Sequence, residues 1–335
     1  MLSKNKEENI LKFIERLPEA LEERKLVLFI IDGLGTNKIK VPRMFKKITY
    51  RTVFPSSTPT FFYSFHSLLE PKSHGFLDWY MRFDRLNEPI TIPPWRTISG
   101  KELKLKKDVK KKDVFPFKSL SEIIWKRGFS SHYYTPFPYS TFTIATSRKA
   151  KITRMDYFSQ IFPLPDEDFI FIYWPSVDLI LHKRFKTETF QIEIEILEMY
   201  IKILWKKLPR DSMLAILSDH GLTKVKKRYL LPTIEGVYPV GGGRVGFYRD
   251  VEFDKVERNI RKRKIPATVF HIKEIEGFDG KISKRCVENF GDIVVIANNG
   301  IGFKYPFEKR SVFDVGYHSG KSKEEMYVNV WTGIK

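Results

Sequence analysis

The chain has 335 residues, 42% hydrophobic and 15% aromatic, enough to bury a sizeable core and too apolar for a disordered chain. Its apolar runs stay under ten residues, which excludes a membrane-spanning helix, and its single cysteine, Cys286, excludes an intramolecular disulfide and a cysteine-cluster metal site. A net charge of +19, from 59 basic and 40 acidic residues, points to polyanionic partners such as nucleotides, nucleic acid or an acidic lipid surface.

Residues 5 to 24 place Ile10, Leu11, Phe13, Ile14, Leu17 and Leu21 at helical spacing, which predicts an amphipathic helix. The charged start, MLSKNKEENILKFIERL, lacks the apolar stretch of a signal peptide, so the expected location is the cytoplasm. Abundant Lys, Arg and Glu with one Cys fits a thermophile. The run KLVLFIIDGLG, 25 to 35, is apolar on both faces, of strand length, and ends in Asp-Gly, as a buried parallel strand does. The same form recurs in DFIFIYWPSVD, which leads to Asp178, in SMLAILSDHG, which leads to Asp219 and His220, and in GDIVVIANNG at 291 to 300. Helical stretches such as 190 to 208 alternate with these strands. The expected fold is therefore α/β, with a mostly parallel central sheet flanked by helices.

Two stretches break the alternation. Residues 101 to 113, with seven lysines and three acids, read as an exposed, mobile loop. Residues 241 to 287 open on three glycines, pass through a basic helix and return through ATVFHIKEIEG. They read as a small α+β cap insertion hinged at Gly241 to Gly243, leaving 1–240 plus 288–335 as the core domain.

Sheets of this class hold their chemistry beyond the carboxyl ends of the strands, where Asp32, Asp178, Asp219 and His220 fall. Asp178 and His182 stand four apart, on one face of a helix. His318, in GYHSG, completes six candidate ligands. Mixed Asp and His donors suit zinc or manganese better than calcium. Six ligands and a hydroxyl are about what two neighbouring divalent ions need. The hydroxyl is Thr58, in FPSSTPT. With Pro59 behind it, Thr58 reads as the N-cap of a helix whose N-terminus also favours an anion.

Taken in order, IIDGLG, FPSSTPT with PKSHGF, DLILH, SDHG and GYHSG resemble the type I phosphodiesterase/nucleotide pyrophosphatase family of the alkaline phosphatase superfamily, across roughly residues 25 to 330. The resemblance implies an alkaline-phosphatase-like fold. It implies one ion held by Asp32, Asp219, His220 and the Thr58 oxygen, and another held by Asp178, His182 and His318. It implies Thr58 as the nucleophile of a two-metal hydrolase of phosphodiester or pyrophosphate bonds, with a covalent phospho-threonine intermediate. The expected substrate is an anionic small molecule of nucleotide type, with oligonucleotide contact a further option. One departure is plain: Trp79 stands where relatives carry an Asn that holds a phosphate oxygen. Phosphate binding then falls to the Thr58 N–H, the metals and a nearby base such as Arg82.

Other readings remain on the same residues. Phosphomonoesterase, phosphonate hydrolase and phosphomutase chemistry share the fold, whereas a sulfatase needs Cys or Ser where Thr58 stands. A basic nucleic-acid-binding protein on a degenerate hydrolase scaffold would explain the charge, but has no need of all six ligands. His74 reads as a turn residue, His66 as packed, and His132 and His271 as surface residues.

Overall fold

The computed structural model describes residues 8–86, 88–308 and 314–335. A seven-stranded sheet runs through the centre in the spatial order Lys46–Arg51, Tyr327–Ile334, Met213–Leu217, Leu26–Ile31, Phe169–Trp174, Ser131–Thr135 and Lys151–Arg154. The five strands from Met213–Leu217 to Lys151–Arg154 are parallel, and Tyr327–Ile334 runs antiparallel to both of its neighbours. Every residue of Leu26–Ile31 is buried because both faces of the sheet are covered, with Leu26, Leu28 and Ile30 in one apolar cluster and Val27, Phe29 and Ile31 in another. The long helix Glu188–Lys207 covers the second face through Phe190, Ile194, Leu197, Ile201 and Leu204.

The expected first helix is two helices, Leu11–Glu15 and Leu17–Glu23. Pro18 has no N–H to offer the Ile14 carbonyl, which breaks the ladder there. Residues 5–7 of that expectation lie outside the described residues.

A second, wholly antiparallel sheet has the order Ala267–His271, Ile293–Ala297, Val245–Tyr248, Val240–Gly242, Tyr80–Met81, Ile90–Thr91 and Arg96–Thr97. The run at 291 to 300 therefore does not belong to the central parallel sheet. It is apolar on both sides because Val294 and Ile296 pack into the main core while Ile293 and Val295 pack under the helix Phe253–Lys262. Two-faced burial, not strand direction, made it look parallel. The elements of 241 to 287 share this sheet with strands from 80–97 and 293–297. Gly241 and Gly242 are buried in a hairpin strand, Gly243 follows it half-buried, and a Cβ on Gly242 would overlap the Asp78 carboxyl. The lysine-rich stretch 101 to 113 is also anchored. Leu103 and Val109 are buried, and the Leu103 carbonyl accepts from the Thr141 hydroxyl (2.9 Å).

The helix Thr58–Ser67 is buried along almost its whole length. His66 lies among Phe62, Phe65, Tyr133, Phe142 and Phe171 and stays packed, as expected. His74 closes a turn: the Phe76 N–H donates to its Nδ1 (3.0 Å), so Nε2 carries the proton and donates to Ser64 Oγ (2.9 Å). His132 is not a free surface residue, since it bonds Thr153 Oγ1 (2.7 Å) and stacks on Tyr134.

Burial pushes the His66 and His74 imidazoles down to about 3. A histidine whose folded pKa lies below its unfolded one stabilises above the unfolded value and loses that contribution as pH falls toward the folded value. Each should cost about 2 kcal/mol between pH 6.5 and pH 5. Replacing His66 by Phe should shrink the loss of stability between pH 7 and pH 5 by about that amount, read from urea unfolding in chelator.

Candidate metal centre

Three adjacent parallel strands deliver the first residues. Asp32 follows Leu26–Ile31, Asp219 and His220 follow Met213–Leu217 after Ser218, and Asp178 lies in the first turn of the helix Ser176–Lys183 that follows Phe169–Trp174. Backbone bonds lock these ends together: Asp32 N–H donates to the Trp174 carbonyl and Asp178 N–H to the Asp32 carbonyl, both at 3.0 Å. Gly33 allows this approach, because its φ is +71° and a Cβ there would stand 2.8 Å from the Asp178 Cα. The antiparallel strand Tyr327–Ile334 begins at the same end of the sheet, which brings the loop before it, with His318, to the same edge.

Asp32, Asp219 and His220 form a fully buried group, and Asp178, His182 and His318 a half-buried one; within each group the ligand-type atoms lie within 4.8 Å of one another. The two groups adjoin. The His318 ring centroid is 4.1 Å from that of His220 and 5.2 Å from that of His182.

Each imidazole is held by Nδ1, leaving Nε2 for the site. His182 Nδ1 donates to the Gly316 carbonyl (2.8 Å) and His220 Nδ1 to the Gly221 carbonyl (3.2 Å); carbonyls only accept, so Nδ1 carries the proton in both. His182 Nε2 lies 3.4 Å and His318 Nε2 4.0 Å from Asp178 Oδ1. His220 Nε2 lies 3.4 Å from Asp219 Oδ2, 3.5 Å from Asp32 Oδ1 and 3.0 Å from Thr58 Oγ1. Asp219 spends its other oxygen on the N–H groups of Gly33 (3.1 Å) and His220 (2.9 Å).

Thr58 is the first helical residue rather than the N-cap. Ser57, with extended backbone, takes the cap position, and Pro59 follows within the first turn. Thr58 is also the only residue from Thr52 to Ser67 that is not buried, so its hydroxyl is reachable from solvent. The hydroxyl oxygen stands 3.4 Å from Asp32 Oδ1.

The charges show what the centre suits. Burial, then the nearby Asp219 and Asp178 carboxylates, raises the Asp32 carboxyl well above the usual range. Burial also opposes ionisation of Asp178, but the surrounding imidazoles, His182 foremost, outweigh it and hold that carboxyl below the usual range. Burial lowers His182, and the Asp178 charge more than restores it. Of the three buried carboxylate oxygens without a hydrogen-bond partner among the described residues, two, Asp178 Oδ1 and Asp219 Oδ2, belong to these groups; the third is Asp78 Oδ2. Unpartnered buried carboxylates facing imidazole lone pairs are costly alone and fit divalent cations. The mixed nitrogen and oxygen donors agree with zinc or manganese.

The sequence did not reveal three residues around these groups. Tyr173 donates its hydroxyl to Asp32 Oδ2 from inside a uniformly apolar strand. Asp78 is fully buried and accepts from Ser319 Oγ (2.9 Å). Arg82 is elsewhere. Its guanidinium donates to the Tyr238 carbonyl (2.6 Å) and lines a 360 Å³ cavity with Phe83 and Arg249, none of whose lining residues is Thr58 or one of the six ligands. It is therefore not placed to hold a phosphate at Thr58. Trp79 is 40% exposed.

A mostly parallel sheet with two carboxylate–imidazole groups and a helix-terminal hydroxyl at its carboxyl edge is an alkaline-phosphatase-like fold. The sequence profile of the type I phosphodiesterase/nucleotide pyrophosphatase family matches residues 26–321, and the chain belongs to that family. No curated protein matches it. Among solved structures, an inactive murine ectonucleotide pyrophosphatase/phosphodiesterase 5 in complex with AMP is 16% identical, with a TM-score of 0.70 over 92% of this chain and 88% of that one. The human counterpart is 15% identical, with a TM-score of 0.68 over 92% and 87%. Phosphonoacetate hydrolase from Sinorhizobium meliloti, in complex with phosphonoacetate, is 11% identical, with a TM-score of 0.63 over 92% and 89%. No helix among the described residues is long and apolar enough to cross a membrane.

Proposed function

We propose that the chain hydrolyses phosphodiester or pyrophosphate bonds of nucleotide-type substrates through a phospho-threonine intermediate on Thr58. The observation that carries this reading is the hydroxyl of the partly exposed Thr58, at the start of a helix, 3.0 Å from His220 Nε2 and 3.4 Å from Asp32 Oδ1 in the buried group of candidate cation ligands. Asp32, Asp219, His220 and Thr58 would hold one divalent ion, and Asp178, His182 and His318 the other. Zinc fits best, and manganese also fits. Such ions supply a lowered hydroxyl pKa and charge neutralisation on the transferring and leaving oxygens.

The chain's own residues do the rest. Thr58 Oγ loses its proton to solvent and attacks phosphorus. A new O–P bond forms as the bond to the leaving oxygen breaks, and that oxygen departs with the electron pair and takes a proton from water. Water then attacks the phospho-threonine, the phosphoryl or nucleotidyl group leaves, and Thr58 Oγ regains a proton. One water is consumed per bond cleaved. The Thr58 N–H, in the first helical turn, has no intrahelical acceptor and is available to a phosphate oxygen. His182, His220 and His318 are held by their Nδ1 sides, so little ordering remains to be done when a charged substrate arrives.

Two observations support a nucleotide-type substrate. The murine relative is in complex with AMP. In this chain Phe137 and Tyr139, 52% and 77% exposed, follow the strand Ser131–Thr135 at the active edge, and the Phe137 ring lies 6.4 Å from that of Tyr173, whose hydroxyl reaches Asp32. Exposed aromatic faces beside an anion site suit a base. The phosphonoacetate hydrolase relative keeps a phosphonate substrate as the second reading.

The deciding assay compares bis-(p-nitrophenyl) phosphate, p-nitrophenyl phosphate and phosphonoacetate, with added Zn²⁺ or Mn²⁺. The diester should be the preferred substrate, with activity lost in chelator. Preference for the monoester or the phosphonate would move the reading within the same fold. Cleavage of none would leave a basic phosphate-binding protein.

A further inference from the structure

His318 belongs to a loop with little regular structure of its own, yet its imidazole must hold position between His182 and His220. His182 and His220 have backbone carbonyls to fix Nδ1; the atom facing His318 Nδ1 is Ser319 Oγ, 3.4 Å away. That hydroxyl in turn donates to Asp78 Oδ1 (2.9 Å). Burial raises the Asp78 carboxyl to about 7, against the pull of this hydrogen bond; with Asp78 ionised, the Ser319 proton points to Asp78 Oδ1 and the Ser319 lone pairs face His318 Nδ1. Metal-ligating histidines commonly rest on a carboxylate in this way, and here a serine stands between them.

The arrangement is built at some cost. Ser319 adopts φ +87°, a left-handed backbone rarely taken by serine. Its N–H donates to the Ser56 carbonyl (2.9 Å) and the Gly320 carbonyl accepts from Ser56 Oγ (2.8 Å), tying the loop to the segment that enters the Thr58 helix. Asp78 is wholly buried and fits only because Gly242 has no Cβ. The other end of the loop rests on a second buried carboxylate. Glu325 Oε1 accepts from Gly320 N–H (2.8 Å) and Oε2 from Ser322 N–H (3.1 Å), while the buried Arg244 guanidinium pairs with it at 3.0 Å. Arg244 and Gly242 both come from the hairpin of the second sheet.

We propose that Asp78 is a positioning residue for His318, acting through the Ser319 hydroxyl, and that the second sheet serves as a brace for the His318 loop. The inference rests on reading Asp178, His182 and His318 as a cation site. It assigns Asp78 and Ser319 no contact with substrate.

Zinc titration with metal analysis tests it, with thermal melts to confirm folding. The wild type should take two equivalents. Asp78→Ala should keep the ion at Asp32, Asp219 and His220 and bind the second about 10–100-fold more weakly. Asp78→Asn, whose amide oxygen still accepts from Ser319, should recover most of that affinity. Ser319→Gly relieves the left-handed backbone and removes the short hydroxymethyl side chain, so it should melt normally and still lose second-ion affinity. Unchanged second-ion binding in Ser319→Gly overturns the proposal, even where Asp78→Ala fails to fold. A wild type that takes no ion overturns the two-metal reading itself, a result distinct from two ions in every variant.

Discussion

Thr58→Ala should lower bis-(p-nitrophenyl) phosphate turnover on the order of 10⁴-fold or more, while the melting temperature and the number of bound ions stay near wild type. The size follows from the role. Removing an attacking atom takes away the covalent route altogether, whereas removing one of several cation ligands weakens a shared load. The folding cost is small because the Thr58 hydroxyl is half-exposed, caps nothing, and sits one residue past the Ser57 cap. Alanine also suits a first helical turn. Three carboxylates and three histidines remain for the ions, so ion content should hold. Thr58→Ser separates the nucleophile from a mere spacer. It keeps the oxygen and should retain turnover well above the alanine variant. Rapid acid quenching of wild type with this diester should show a p-nitrophenyl phosphoryl group on the peptide that contains Thr58. Alanine and wild type turning over equally would remove the covalent mechanism and leave water as the nucleophile.

The parts of the centre legible in the sequence are those set by local physics. A strand buried on both faces must be apolar throughout, so Asp32 and the Asp219–His220 pair stood out as the first ligand-type residues after such runs. Asp178 and His182 were legible because four residues make one helical turn, and the structure places them 3.4 Å apart. His318 is different. Its approach depends on the antiparallel strand Tyr327–Ile334 next to Met213–Leu217, and nothing in the local pattern states a strand's direction. The same gap misplaced Ile293–Ala297, whose burial on both faces comes from two cores meeting at the second sheet. The bonds from Tyr173 to Asp32 and from Ser319 to Asp78 join residues 141 and 241 positions apart, so neither side chain carries a local trace of its partner. Arg82 shows the reverse error. A base three residues after Trp79 looked near enough to hold phosphate, but it stands just past the strand Tyr80–Met81 and lines a separate cavity.

Asp32→Asn should abolish most activity and yet raise the stability of the ion-free protein. In the absence of cations Asp32 is buried with Asp219 and Asp178 close by, and burial and their charges push its carboxyl well above the usual range. A carboxyl raised in the folded state binds more protons there than in the unfolded chain. Its penalty is absent below the unfolded value of about 3.8 and grows as pH rises from there. Asparagine removes that charge, keeps an oxygen for the Tyr173 hydroxyl and nearly keeps the volume. The ion-free variant should therefore melt roughly 2–4 °C above ion-free wild type at pH 8, with the gap closing toward pH 4. Added Zn²⁺ should reverse the order. Ligand binding to the native state alone stabilises by about 2.7 kcal/mol at 100 times the dissociation constant, and the variant has lost one anionic ligand of the buried site. Turnover should fall on the order of 10²-fold or more. The crossing of the two melting curves with added zinc is the informative result. A structural carboxylate would destabilise the chain on neutralisation whether or not zinc is present, whereas one kept to bind a cation costs stability until the cation arrives.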